Sequence, residues 1–189
     1  MSDHASKPII VLDAFSFRKR NILLRFHQVG IFRVRWSKRI IDEWTRNLLD
    51  RHPQFEESIQ SQLRAMQQHF PDALVSDFEQ IMETLDLPDV DDRHVLAAAI
   101  QCDAQHIVTD NIVDFPAQKL APYGIEAMSA DKFLERMFAQ DRAKALAVFR
   151  KLRSDYKNPA YSPSELVMDL TAKGLPKLAA LVREHRRVL

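Results

Sequence analysis

The sequence contains a single cysteine, Cys102, in 189 residues. One thiol excludes an internal disulfide and a zinc site built on several cysteines, and it fits a reducing compartment. Lying in an apolar helical run, it reads as a buried structural thiol rather than a nucleophile. Glycine is also scarce, with three in the chain, and no G-x-x-x-x-G-K-[ST] phosphate loop is present. No stretch approaches the roughly 18 consecutive apolar residues of a membrane span, and the polar start MSDHASKP has no apolar signal core, so the expectation is a cytoplasmic protein without membrane attachment. Charge of either sign is not in excess: 27 Lys and Arg face 26 Asp and Glu. What remains, at 46% hydrophobic and 28% charged residues, is an ordinary globular chain of one-domain size with room for a peripheral extension.

The charges are unevenly distributed. Arg18 to Arg51 holds ten Lys or Arg against three acids, whereas Asp72 to Asp92 holds eight acids and no Lys or Arg. Two such faces could draw a polyanion to one surface and cations to the other, although solvated faces are the plainer explanation of any charge run.

Hydrophobic periodicity sets the expected organisation. Ile9 to Leu12 is a short continuous apolar run after Pro8, the pattern of a buried parallel strand. Ile22, Leu23, Phe26 and Val29 are spaced for a helix that Gly30 ends. Phe32 to Trp36 reads as a strand, and Ser37 as the cap of a helix carrying Ile40, Ile41, Trp44 and Leu48. Apolar residues at 55, 59, 63, 66 and 70 predict an amphipathic helix stopped by Pro71. A short helix over 77–82, a turn at LPDVDD, the helical run RHVLAAAIQC, and strands at 106–109 and 125–128 follow. From Ser129 onward only helical patterns appear, with two helices around Gly174 at the end. The alternation predicts an α/β fold: three layers, α/β/α, with a central parallel sheet over residues 1–135 and a helical extension over 136–189 packed on the same domain.

In an open parallel sheet, ligands collect at the carboxyl ends of the strands. Asp13 ends the first strand, Thr109, Asp110 and Asn111 end a later one, and Asp91 and Asp92 open the helix leading to it. Each has a structural alternative: a turn carboxylate for Asp13 and helix capping for Asp91 or Asp92. Convergence from distant segments favours a shared role. Clustered carboxylates repel unless a cation sits among them, and oxygen-only donors suit Mg²⁺ or Mn²⁺ rather than zinc. Trp36 and Trp44 read as core, Met66, Met82 and Met128 as gap fillers, and His94 as a residue on the rim of its helix, within reach of substrate. A phosphatase that starts from a strand-end Asp needs a second Asp two residues on, where Phe15 stands.

VLDA at 11–14, RWSKRIIDEWTRNL at 35–48, LPDVDDRHVLAAAI at 87–100 and HIVTDNIVDFP at 106–116 together resemble the PIN-domain family, in its VapC-like toxin branch. The helical tail resembles an extension carried by part of that branch. The resemblance implies a metal-dependent ribonuclease hydrolysing RNA phosphodiester bonds with Mg²⁺ or Mn²⁺, the toxin of a toxin–antitoxin pair, with RNA as substrate, an antitoxin protein as partner and a homodimeric state. It matches Asp13 to the first acid, Glu43 to the second and Asp92 to the third, with Asp91 beside it. Asn111 falls at the fourth position, with Asp110 or Asp114 as substitutes, and Thr109 would orient a ligand. Without the resemblance, Glu43 is a plain helix carboxylate suited to Arg39 or Arg46. Arg18, Lys19 and Arg20 are the expected RNA contacts. In DAFSFRKRN, Phe15 occupies the family's usual Asn or Ser position, which leaves Ser16 as its replacement and keeps open a second reading: a catalytically weak or inactive module that binds RNA or antitoxin.

Overall fold

A computed structural model describes residues 7–14, 17–157 and 161–189, with positions 17 and 18 described by their backbone alone. Expectations resting on Phe15, Ser16 and the Arg18 side chain lie outside the described residues. In chain order the elements are β1 (Ile9–Leu12), α1 (Phe17–Gln28), β2 (Arg33–Ser37), α2 (Lys38–Arg51), α3 (Glu56–His69), β3 (Leu74–Val75), α4 (Glu79–Thr84), α5 (Arg93–Gln101), β4 (His106–Val108), α6 (Ala117–Leu120), β5 (Glu126–Met128), α7 (Ala130–Gln140), α8 (Arg142–Asp155), α9 (Pro163–Ala172) and α10 (Pro176–Glu184). They fall into two units, Met1–Ser16 with Arg33–Met128 and Phe17–Phe32 with Ser129–Leu189. This grouping departs from a boundary near residue 135, because α1 sorts with the C-terminal helices and not with the strands that flank it in sequence.

The first unit is built on a five-stranded sheet, flanked by helices, in the order β3-β2-β1-β4-β5. Every pairing is parallel, with Val11 facing Arg35 on one side and Ile107 on the other. Central β1 is apolar throughout because both its faces are covered; Ile10 and Val11 are fully buried. After β3 the chain returns to the far side of β1, so the strand order reverses between β1 and β4. That crevice is the switch point of the sheet. Ser37 ends β2 and caps α2 at once, its hydroxyl accepting from Ile40 N at 3.2 Å. With no connecting loop, Glu43 rides on α2 close behind the strand end. The alanines of α5, Ala97 to Ala99, are fully buried, and their small side chains let this helix lie against β1, β2 and β4. Trp36 and Trp44 are core residues, as their neighbours in sequence suggested. Two-residue β3 and four-residue α6 are too short to leave a periodic signal.

The second unit is a helical cluster with an aromatic centre. Phe26 of α1 meets Phe149 of α8 edge-on at 5.8 Å, and Phe32 meets Phe133 of α7 at 4.9 Å. Asp141 separates α7 from α8, its carboxylate capping α8 through Lys144 N at 3.1 Å. Ser162 and Glu165 form a capping box at α9. Arg20 is buried, and burial lowers its pKa to about 10. The Lys19 side chain lies where a Cβ on Gly174 would meet it at 3.3 Å, in the turn between α9 and α10. The expectation that Arg18, Lys19 and Arg20 form one surface run for RNA is therefore corrected at Arg20. Ile22, Leu23 and Phe26 are also buried, and the core-facing stripe of the helix includes that arginine.

Helix α10 begins without a cap of its own. The buried Asp131 of α7 supplies one from 46 residues away, accepting from Lys177 N and Leu178 N, both at 3.0 Å. Replacing Asp131 by Ala removes a charged acceptor from two helix N–H groups and is expected to cost about 2 kcal/mol, read as a lowered urea midpoint. Asp131→Asn should lose less, because it keeps one acceptor oxygen.

Candidate active site

At the switch point, Asp13 follows β1 and Thr109 follows β4. Asp13 N donates to Val108 O at 3.2 Å, and the buried Thr109 hydroxyl donates to Asp13 Oδ2 at 2.6 Å. Asp13 Oδ1 accepts from Ala14 N at 2.7 Å. The same Thr109 oxygen accepts from Asn111 N at 2.9 Å, so one hydroxyl fixes both the carboxylate and the loop after β4. Burial pushes the Asp13 carboxyl above its usual value, against the pull of those hydrogen bonds, and the Glu43 charge pushes it the same way.

Asp92 stands at the N-cap of α5, yet its side chain makes no capping bond. The capping alternative therefore does not explain this residue. Its carboxylate oxygen instead lies in a group with those of Asp89 and Asp114, all within 4.8 Å of one another. Burial raises the Asp92 pKa to about 7, with further upward contributions from the charges of Asp13, Asp89, Asp114 and Glu43. Five carboxyl groups from four separate segments thus act on one edge of the sheet.

Glu43 is held by His94, whose Nε2 lies 3.3 Å from Glu43 Oε2. His94 is 4% exposed, so it is not the rim residue expected from sequence; the apolar run RHVLAAAI carries it inward. Its Nδ1 is buried with no hydrogen-bond partner. Asn111 is exposed and donates through Nδ2 to Asp114 Oδ2. Of the three candidates for the fourth position, Asp114 brings its carboxylate into the group, Asn111 orients it, and Asp110 is exposed outside it. Asp91 is likewise exposed and outside the group; Asp89 occupies the place expected of it. Asp89 accepts from Asp91 N at 2.8 Å, an Asx-turn that the P-D-x-D pattern could have signalled. The oxygen-only donor set and its mutual repulsion fit a hard divalent cation. Cys102, outside this group, has its thiol pushed up to about 11 by burial, as suits a structural thiol.

The fold and this edge define a class: a parallel α/β protein with an acidic, oxygen-lined centre at its topological switch point. The chain belongs to the PIN-domain family, whose model matches residues 9–113. A second family model, the VapC50 C-terminal domain, matches residues 130–184, beginning within two residues of where the second unit resumes. The chain is 37% identical over 92 residues to the protein named "Putative ribonuclease VapC50" of Mycobacterium tuberculosis, a match covering 49% of this chain and 54% of that relative. The chain thus spans about half the length of this curated relative. No solved structure matches it. Among the described residues, no helix is long and apolar enough to cross a membrane.

The raised Asp92 carboxyl has a consequence for stability. Between its ordinary value of 3.8 and about 7, the unfolded chain has released a proton that the folded chain retains, so this group's contribution to stability is lost as pH rises through that window. Asp92→Asn removes the effect. In EDTA, the melting-temperature advantage of the variant over the natural protein should be small near pH 4, grow to pH 7 and then level, reaching a few degrees, at about 2 to 4 °C per kcal/mol for a chain of this size. A difference independent of pH would contradict the site electrostatics.

Proposed function

We propose that this protein is a VapC-like endoribonuclease that uses Mg²⁺ or Mn²⁺ and is the toxin of a toxin–antitoxin pair. The observation that carries the reading is the gathering of Asp89, Asp92 and Asp114 within mutual ligand distance, with Asp13 and Glu43 adding charge to the same centre. Membership of the PIN-domain family and the likeness to a protein named as a ribonuclease support it.

Asp89, Asp92 and Asp114 are the residues proposed to hold the cation, with Asp13 and Glu43 completing its oxygen environment. A bound divalent ion supplies Lewis acidity and charge neutralisation for in-line displacement at a phosphodiester. The chain's own groups prepare for that. Thr109 holds Asp13 in one orientation, His94 does so for Glu43, and Asn111 for Asp114. Partial burial keeps the carboxylates in a medium where their field is strong, and repulsion raises the free energy of the cation-free state, favouring cation uptake. RNA is the substrate in this reading, an antitoxin protein is a partner, and the protein pairs with a second copy; resemblance to the VapC-like branch carries these three partners. Asp91 and Asp110 fall outside the group of carboxylates within mutual ligand distance.

The test is cleavage of several single-stranded RNAs with either metal. Cleavage should stop in EDTA and resume when Mg²⁺ or Mn²⁺ is restored. Removal of groups that merely orient ligands costs 10- to 100-fold, so Asp92→Asn, which removes a proposed ligand charge, should cost more than about 100-fold. The inactive-module reading predicts RNA or antitoxin binding, with no cleavage of any RNA under either metal.

A further inference from the structure

The near-neutral chain conceals a separation of charge that follows tertiary grouping. The sheet unit carries 10 Lys or Arg against 19 Asp or Glu, a net of −9, while the helical unit carries 17 against 7, a net of +10. The acidic value suits a cation-binding centre and opposes a polyanion. The helical unit has the opposite property. Among the described residues, the side chains of Arg142, Arg183, Arg186 and Arg187 are exposed and have neither an ion pair nor a hydrogen bond. Arg150, also exposed, is anchored by donating from Nε to Val188 O at 2.7 Å.

Arg142, Leu146 and Arg150 lie on one face of α8, and the two arginines are separated by about 12 Å along the helix axis. With Ala139, Gln140 and Ala143 they line an open cavity of about 570 Å³. This wall combines Gln140 and the two arginines with Ala139, Ala143 and Leu146, and it lacks the aromatic anchors that concentrate binding energy in protein interfaces. It does carry guanidinium groups, which present paired N–H donors suited to phosphate oxygens.

We propose that the helical unit binds the RNA backbone, through the α8 face of Arg142 and Arg150 and the C-terminal arginines Arg186 and Arg187. The inference rests on RNA being the substrate, and it assigns to this unit a phosphate-binding role separate from the carboxylate centre. Binding here depends on charge and not on sequence, as phosphate contacts do.

The probe is a fluorescein-labelled single-stranded RNA of about 20 nucleotides, titrated by fluorescence polarisation with the full chain in EDTA, over a range of salt concentrations. Reversal at R142E/R150E should weaken binding at low salt by more than tenfold and reduce the log–log salt slope by about 1.4, at about 0.7 for each phosphate no longer neutralised. Reversal at R186E/R187E should act in the same direction. The control is R46E/R64E, two exposed arginines of the sheet unit, which changes net charge equally and should alter affinity about twofold or less. Melting temperature verifies folding, and R142Q/R150Q provides a milder version should reversal unfold the protein. An equal loss in the control would overturn the proposal, leaving only net charge. Unchanged affinity and slope in R142E/R150E would also overturn it, assigning the positive charge to an acidic protein partner or to use within the molecule. Failure of the natural protein to cleave an RNA that it binds through these arginines would overturn the ribonuclease reading and leave this one standing. Normal cleavage with unaltered RNA binding in both arginine variants would do the reverse.

Discussion

Mutual repulsion among carboxylates is the constraint around which the sheet unit is organised. Asp92 lies beside Asp89 and Asp114 and feels Asp13 and Glu43 as well, a distribution that relaxed side chains would disperse into solvent. They remain together because their backbones are fixed by independent elements: the end of β1, the second turn of α2, the turn before α5 and the loop after β4. Packing of an apolar parallel sheet therefore supplies the free energy that holds like charges close, and the charges in turn define where a cation is favourable.

Polar contacts around the centre translate this backbone arrangement into side-chain orientation. Thr109 connects the ends of β1 and β4 by donating to Asp13 while accepting from Asn111. Asn111 then reaches Asp114. A separate contact joins α5 to α2 through His94 and Glu43. None of these partners needs to be a ligand to matter, since each restricts a carboxylate that would otherwise rotate.

The helical unit answers a different physical problem. Its aromatic residues and the trans cap from Asp131 build a core from α1 and helices more than a hundred residues further along the chain. A net charge of +10 is compatible with that core because most of the cations project to solvent, where screening keeps self-repulsion small. Chain order obscures this. The basic segment 18–51, which reads as one face, is divided by the fold between the two units.

Local patterns carried much of the architecture because they depend on near neighbours: the apolar run of β1, the Ser37 cap, the left-handed Gly30 and Gly174, and the close-packing alanines of α5 are all legible in sequence. The family motifs likewise mark Asp13, Glu43 and Asp92. What the tertiary structure alone decided are relations between segments. Asp114 and Asp89 join the carboxylate group while Asp91 and Asp110 do not, because a side chain's direction depends on turn geometry that composition cannot specify. His94 turns inward to Glu43, and Arg20 faces a core shared with helices encoded far downstream. Periodicity reports which residues one element buries; it does not report what they are buried against.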